Sequence, residues 1–204
     1  MRRTKEDAAR TREAIMQAAL GCFDSYGIAH TTLEQIACAA GVSKGAVYHH
    51  FSGKREILAA IREQVSLPFL DEADTTLLRG GALPALDRIE RFLLGILDAL
   101  EGDARMRLAL TVMELRCEYV GDMDLEQAAM VRNIDRLTQA LEGAYREARR
   151  RGALAHGLPP RVAALETMMF MNGLFRLWIV HTAASAVRRG ARAAIRAHMA
   201  LRRA

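Results

Sequence analysis

An all-α fold follows from three features of the sequence. Apolar residues recur at intervals of three and four through most of the 204 positions, strand-like alternation is almost absent, and Gly, Asp or Pro falls between the periodic stretches. A chain of this length can bury two apolar interiors. The division expected is a small helix-turn-helix unit over 1–53 and a larger helical domain over 54–204, linked by the helix that starts at Lys54, with about nine helices in all.

The first helix spans 5–26, where Ala8, Ile15, Ala18, Ala19, Cys22 and Phe23 form one stripe and Gly27 suits a C-cap. Thr31 and Glu34 have capping-box spacing, so a second helix starts there and runs to about Ala40. Gly41 permits a sharp reversal, Val42 plugs the turn, and Ser43 N-caps a third helix from Lys44 to about Phe51. Ser52-Gly53 breaks the chain again. From Lys54 a fourth helix buries Ile57, Leu58, Ile61 and Val65 until Pro68 disturbs it. Beyond Gly80-Gly81, helices are expected over 84–100, 105–119, 125–151, 160–181 and 185–203.

Composition excludes several classes. Hydrophobic residues make up 51% and charged residues 26%, which suits a folded globular chain and not a disordered tail. The 29 Lys and Arg outnumber the 24 Asp and Glu, and the resulting +5 favours a polyanionic partner. The opening MRRTKEDAARTRE has no apolar core of the kind an export signal needs, so a cytoplasmic protein is expected. The most apolar stretch, 162–187, is interrupted by Glu166, Asn172, Arg176 and His181, which argues against a membrane span. Cys22, Cys38 and Cys117 fit neither a disulfide framework nor a zinc site and read as buried thiols. His49 and His50 are adjacent on a helix and point apart, so no metal is expected. With no phosphate loop, dinucleotide turn or nucleophile elbow, neither an enzyme nor a cofactor is expected.

The segment TTLEQIACAAGVSKGAVYHHFSGKREIL, 31–58, carries the functional signal. Leu33, Ile36, Ala37, Val42, Val47 and Phe51 face inward and fix the angle between two short helices. The outward face of the second helix offers Ser43, Lys44, Gly45, Tyr48, His49 and His50, a set of donors and flat rings that fits a major groove about 12 Å wide. Lys54, beside the next helix N-terminus, is placed to anchor a phosphate. This pattern resembles the TetR family of bacterial regulators through Thr32, Ile36-Ala37, Ala40-Gly41-Val42-Ser43, Gly45, Tyr48, His50-Phe51 and Lys54, over roughly the first third of the chain. The resemblance implies that Thr32, Tyr48, His49 and Lys54 grip phosphates while Ser43, Lys44 and Gly45 lie against base edges. It also implies a homodimer formed through the last two helices, a near-palindromic duplex operator, a small-molecule inducer and no membrane partner. The opening MRRTKEDA and the helix after it look most like the multidrug-efflux repressors of the family. A catabolic, lipid or signalling operon, or a ligand-independent architectural role on DNA, are the alternatives.

In the larger domain Met168, Met171, Phe175 and Trp178 fall at intervals of three and four, with Asn172 beside them and Met169 nearby. Met and aromatic side chains adapt to varied apolar ligands, and Asn172, Glu114, Glu118 or Arg176 would orient a polar end. Phe92, Ile96, Met106, Met113 and Cys117 are candidates for the opposite wall. Plain core packing has the same composition and explains the stripe equally well. Ala183, Ala184, Ala186, Ala191 and Ala194 permit close helix approach or simply fill helices. Arg188, Arg189, Arg192, Arg196, Arg202 and Arg203 read as a solvated basic face.

Overall fold

A computed structural model describes residues 5–78, 82–119 and 121–204. The opening MRRT and the Gly80-Gly81 break lie outside the described residues. Nine α-helices occur among the described residues: α1 Lys5–His30, α2 Leu33–Ala39, α3 Lys44–His50, α4 Lys54–Ala73, α5 Ala85–Gly102, α6 Ala104–Leu115, α7 Asp124–Arg150, α8 Pro160–Val180 and α9 Ala186–Ala200. The fold is therefore all-α, as the periodicity predicts. Among the described residues, none of these helices is long and apolar enough to cross a membrane.

The chain divides into two compact units. The first contains the described residues up to Val65 together with Leu108–Ala129. Its core is Ile15, Met16, Leu20 and Phe23 of α1, Ile36 of α2, Val47 of α3, Phe51, and Ile57, Leu58 and Ile61 of α4. Gly27 takes a left-handed φ of 76° and breaks the regular path of α1, so the expected stop is present and a further turn follows to His30. Glu126, at the start of α7, is 4% exposed and accepts from Arg62 Nε at 3.0 Å, with Arg55 Nη1 at 3.8 Å. This ion pair ties α4 to α7 inside the unit. Arg116 and Asp24 pair at 3.5 Å close to the hydrogen bond from the Ile28 amide to the Arg116 carbonyl.

Three local expectations need correction, two in this unit and one where α4 runs on into the second. The cap of α2 is Thr32 with Gln35, not Thr31 with Glu34: the Thr32 hydroxyl accepts from the Gln35 amide at 3.1 Å, and Gln35 Oε1 accepts from the Thr32 amide at 2.7 Å. Thr31 is drawn inside instead, where its hydroxyl donates to the carbonyls of Gly27 and Cys22. Cys38 is exposed and Cys117 only partly buried, so of the three thiols only Cys22 is in the core. Pro68 does not end α4, which continues to Ala73 and passes into a π-helical turn, Asp74–Leu78. A proline removes one helical hydrogen bond, but Leu70, Ala73 and Leu77 beyond it are buried and hold the helix in place.

The second unit comprises Ser66–Arg107 and the described residues from Met130 onward. α5 supplies Leu86, Ile89, Phe92, Leu93, Leu97 and Leu100 to its core, and α9 packs on both α5 and α8. Three of its polar side chains form a chain of contacts. Tyr145 Oη and Thr167 Oγ1 lie 2.7 Å apart, and Thr167 Oγ1 is 3.0 Å from His198 Nε2, whose ring stacks on Phe170. Burial, with the Arg202 charge adding to it, pushes the His198 imidazole down to about 4. The arginine-rich terminus is not a uniformly solvated face. Arg202 is 6% exposed and reaches Glu166 at 2.9 Å, and Arg203 pairs with Asp87 at 2.8 Å and Glu90 at 2.9 Å.

Candidate nucleic-acid interface

The turn between α2 and α3 is a Schellman closure. Gly41 sits at φ 65°, its amide donates to the Cys38 carbonyl at 3.1 Å, and the Val42 amide donates to the Ala37 carbonyl at 3.0 Å. Satisfying the last carbonyls of α2 in this way fixes the exit of the chain. Ser43 then caps α3, its hydroxyl accepting from the Ala46 amide at 3.1 Å. Val47 and Phe51 are fully buried, which pins α3 from below and leaves its other side outward.

That outer side carries Ser43, Lys44, Gly45, Tyr48 and His49, all exposed, with His50 half-buried. The His49 and His50 rings meet edge to face at 5.2 Å, and no group of three metal-ligating side chains occurs among the described residues. A Cβ at Gly45 would meet nothing nearer than Ser43 Oγ at 3.8 Å. The protein's own packing therefore does not demand glycine here; close approach from outside would.

Lys44 forms an ion pair with Glu34 across the α2–α3 surface, with its ammonium 5.8 Å from the Tyr48 ring centre. The Glu34 hydrogen bond raises the Lys44 pKa, and its partner's falls for the same reason. The capping role expected of Glu34 hides this one, although an acid in the first turn of α2, beside the turn to Lys44, is a usable signal. Thr32 is exposed at the start of α2, and its hydroxyl retains a proton to donate.

Lys54 departs from a simple phosphate anchor. Its ammonium donates to the carbonyls of Ile28 at 2.6 Å and Ala29 at 3.0 Å, closing the end of α1, and burial lowers its pKa. One of its three donors is left for an anion. At the same helix start Glu56 accepts from the Ser52 amide at 2.7 Å and the Ser52 hydroxyl at 2.9 Å; these bonds hold its carboxyl below the usual range. A carboxylate of the protein itself thus lies at the end of α4 nearest Lys54.

The candidate ligand residues are distributed between the units. Met113, Glu114 and Cys117 belong to the first, and Phe92, Ile96, Met106, Met168, Met171, Asn172, Phe175 and Trp178 to the second. Phe92, Ile96, Met113, Met168, Met171 and Trp178 are buried; Met106, Glu114, Cys117 and Phe175 are partly so. Asn172 is exposed and donates to the Met168 carbonyl of its own helix at 2.8 Å.

The first unit matches the family described as bacterial regulatory proteins, tetR family, over residues 15–61, and residues 84–203 match the C-terminal region of MAATS-type transcriptional repressors. This chain belongs to the TetR family of transcriptional regulators. Among TetR relatives it is 35% identical over 186 residues to the HTH-type transcriptional repressor BepR of Brucella suis, covering 88% of this chain and 85% of BepR. It resembles the crystal structure of NalD, the secondary repressor of the MexAB-OprM multidrug efflux pump in Pseudomonas aeruginosa. The TM-score is 0.85 at 28% identity, with 98% of each chain covered. A complex of SmeT, the repressor of the Stenotrophomonas maltophilia multidrug efflux pump SmeDEF, with triclosan is similar at a TM-score of 0.81 and 31% identity, over 94% of this chain and 90% of that one.

Proposed function

We propose that this regulator is a repressor that binds a near-palindromic operator as a homodimer, leaves it when a small amphipathic ligand binds, and controls a multidrug efflux pump. The observation that carries the reading is α3: a short helix capped by Ser43, fixed from beneath by Val47 and Phe51, and presenting Lys44, Gly45, Tyr48 and His49 outward. In this reading 1–53 reads DNA and 54–204 senses ligand and dimerises. Its helix α4 contributes residues to both compact units and so is the natural element for coupling.

Dimerisation is supported by one stripe of α8. Val162, Leu165, Met169, Leu177 and Val180 are each at least 40% exposed, recur at helical spacing and flank Gly173, which leaves room for a second backbone. A second copy of α8 and α9 is the occupant expected. The efflux assignment is supported by what the NalD structure is named for, and ligand response by the SmeT complex with triclosan. A cytoplasmic location goes with binding DNA.

Titrating labelled duplex from upstream of its own gene tests the reading. Tight, salt-sensitive binding is expected, at one dimer or a multiple per site, and lost in Met169→Asp together with the dimer itself. Binding with no preference over random duplex would favour an architectural role instead. A catabolic or lipid operon in place of the pump would redirect the regulated genes without touching the DNA reading.

A further inference from the structure

The start of α9 carries its charges the wrong way round for a helix. Its first turns hold no acid but Arg188 and Arg189, at an end where unpaired amides already favour anions. A third guanidinium joins them: Arg107, Arg188 and Arg189 line one cleft of about 430 Å3 with Glu101, Trp178 and Ala183. All three are oriented by main-chain carbonyls. Arg107 Nη1 donates to Leu100 O at 2.8 Å and Glu101 O at 2.9 Å, Arg188 Nε to Trp178 O at 2.9 Å, and Arg189 to Ala184 O. At Arg188 and Arg189 the carbonyls hold the guanidinium in place without cancelling its charge. The one carboxylate in the lining, Glu101, is shared with Arg192.

Trp178 adds a second, independent sign. Its ring lies under Arg188, whose guanidinium carbon is 4.0 Å from the ring centre, and it is 2% exposed. Its buried indole N–H has no acceptor among the described residues. A buried tryptophan N–H ordinarily finds a partner. The cleft therefore combines excess positive charge, an aromatic wall and an idle donor, in a volume far larger than one inorganic anion and within the range of small-molecule sites.

We propose that this cleft binds small aryl carboxylates, with the carboxylate met by the guanidiniums at the start of α9 and the ring held on the side walled by Trp178 and Ala183. This deepens the ligand-sensing part of the proposed function by naming a ligand class, and its binding step is measured on the protein without DNA. A compound that binds but does not release the operator would count against induction and leave the site standing.

Calorimetric titration of the full chain with 3-phenylpropionate, the neutral 3-phenylpropan-1-ol and inorganic phosphate tests it. Trp178 is the only tryptophan, so its emission, excited where these probes do not absorb, reports on the cleft. One carboxylate per chain is expected, at least tenfold tighter than the alcohol and than phosphate, with a change in Trp178 emission. Arg189→Gln alters an exposed side chain and is expected to leave the melting temperature unchanged. It should weaken the carboxylate at least fivefold while sparing the alcohol. Trp178→Phe keeps a ring, removes the donor, and should weaken the carboxylate by a smaller factor; should it unfold, Arg189→Gln still decides. Absence of carboxylate binding, equal affinity for acid and alcohol, phosphate binding as tightly as the carboxylate, or indifference to Arg189→Gln would each overturn the proposal.

Discussion

The two basic regions of this chain use their charge differently. At the α2–α3 surface Lys44 is held by one exposed carboxylate, Glu34, an arrangement that a nucleic acid can displace. At the C-terminus Arg192, Arg202 and Arg203 are each engaged by carboxylates of other elements, Asp98 and Glu101, Glu166, and Asp87 and Glu90. The denser cluster is thus largely structural, and the sparser one is the proposed interface. A count of arginines marks where charge is, whereas the partners decide whether it is free to act.

The sharpest way to break the contrast is to remove a structural carboxylate from the reading unit itself. Glu126→Ala leaves Arg62, 15% exposed, without its buried partner, and should destabilise the protein by about 3 kcal/mol in a denaturant titration. A change under 1 kcal/mol would mean that the α4–α7 ion pair is not holding the unit. Lys54→Ala comes next, because two roles fall together. It should lower stability by about 1–2 kcal/mol through the lost carbonyl bonds. If the third donor reaches a phosphate, it should also weaken all DNA sequences alike and reduce the salt slope by about one.

Lys44 and Glu34 give smaller and opposite effects. Lys44→Ala should cost about 1–3 kcal/mol at particular base pairs only. Glu34→Gln frees the ammonium and removes a negative charge, so anisotropy titrations should show tighter binding and a steeper salt dependence. The remaining effect, confined to acid pH, belongs to the other region. His198 has its pKa lowered to about 4 by burial, so the unfolded chain binds the extra proton more readily. Its contribution is complete above about pH 6.5, the ordinary value for histidine, and is lost as pH falls toward 4. His198→Gln should flatten the melting temperature over that interval relative to the native protein.

Local chemistry made the reading unit legible and left the larger one partly hidden. Gly41 and Ser43 announce the turn and cap because only their own backbone conformations and neighbours decide them. Thr31 and Thr32 show where that ends. Both have an acceptor three residues on, and the choice falls to Thr32 because the Thr31 hydroxyl finds buried carbonyls in α1, a tertiary fact. Pro68 likewise looks like a stop until Leu70, Ala73 and Leu77 are seen to be buried past it. In the α8 stripe spacing predicted a common face for Met168, Met171 and Trp178, but Asn172 turns outward onto its own helix. The arginines of the C-terminus could not be sorted into buried and solvated at all, since their carboxylate partners lie as far off in sequence as Asp87 is from Arg203.

Gly45 offers the cleanest trial of α3 as the surface that enters DNA. There is open space for a side chain at this position in the free protein, and leucine is a better helix former than glycine. Gly45→Leu should therefore melt at the native temperature or slightly above it while losing at least a hundredfold in operator affinity, because the added bulk meets the groove wall. Native-like operator affinity in that variant would contradict a reading helix at Lys44–His50.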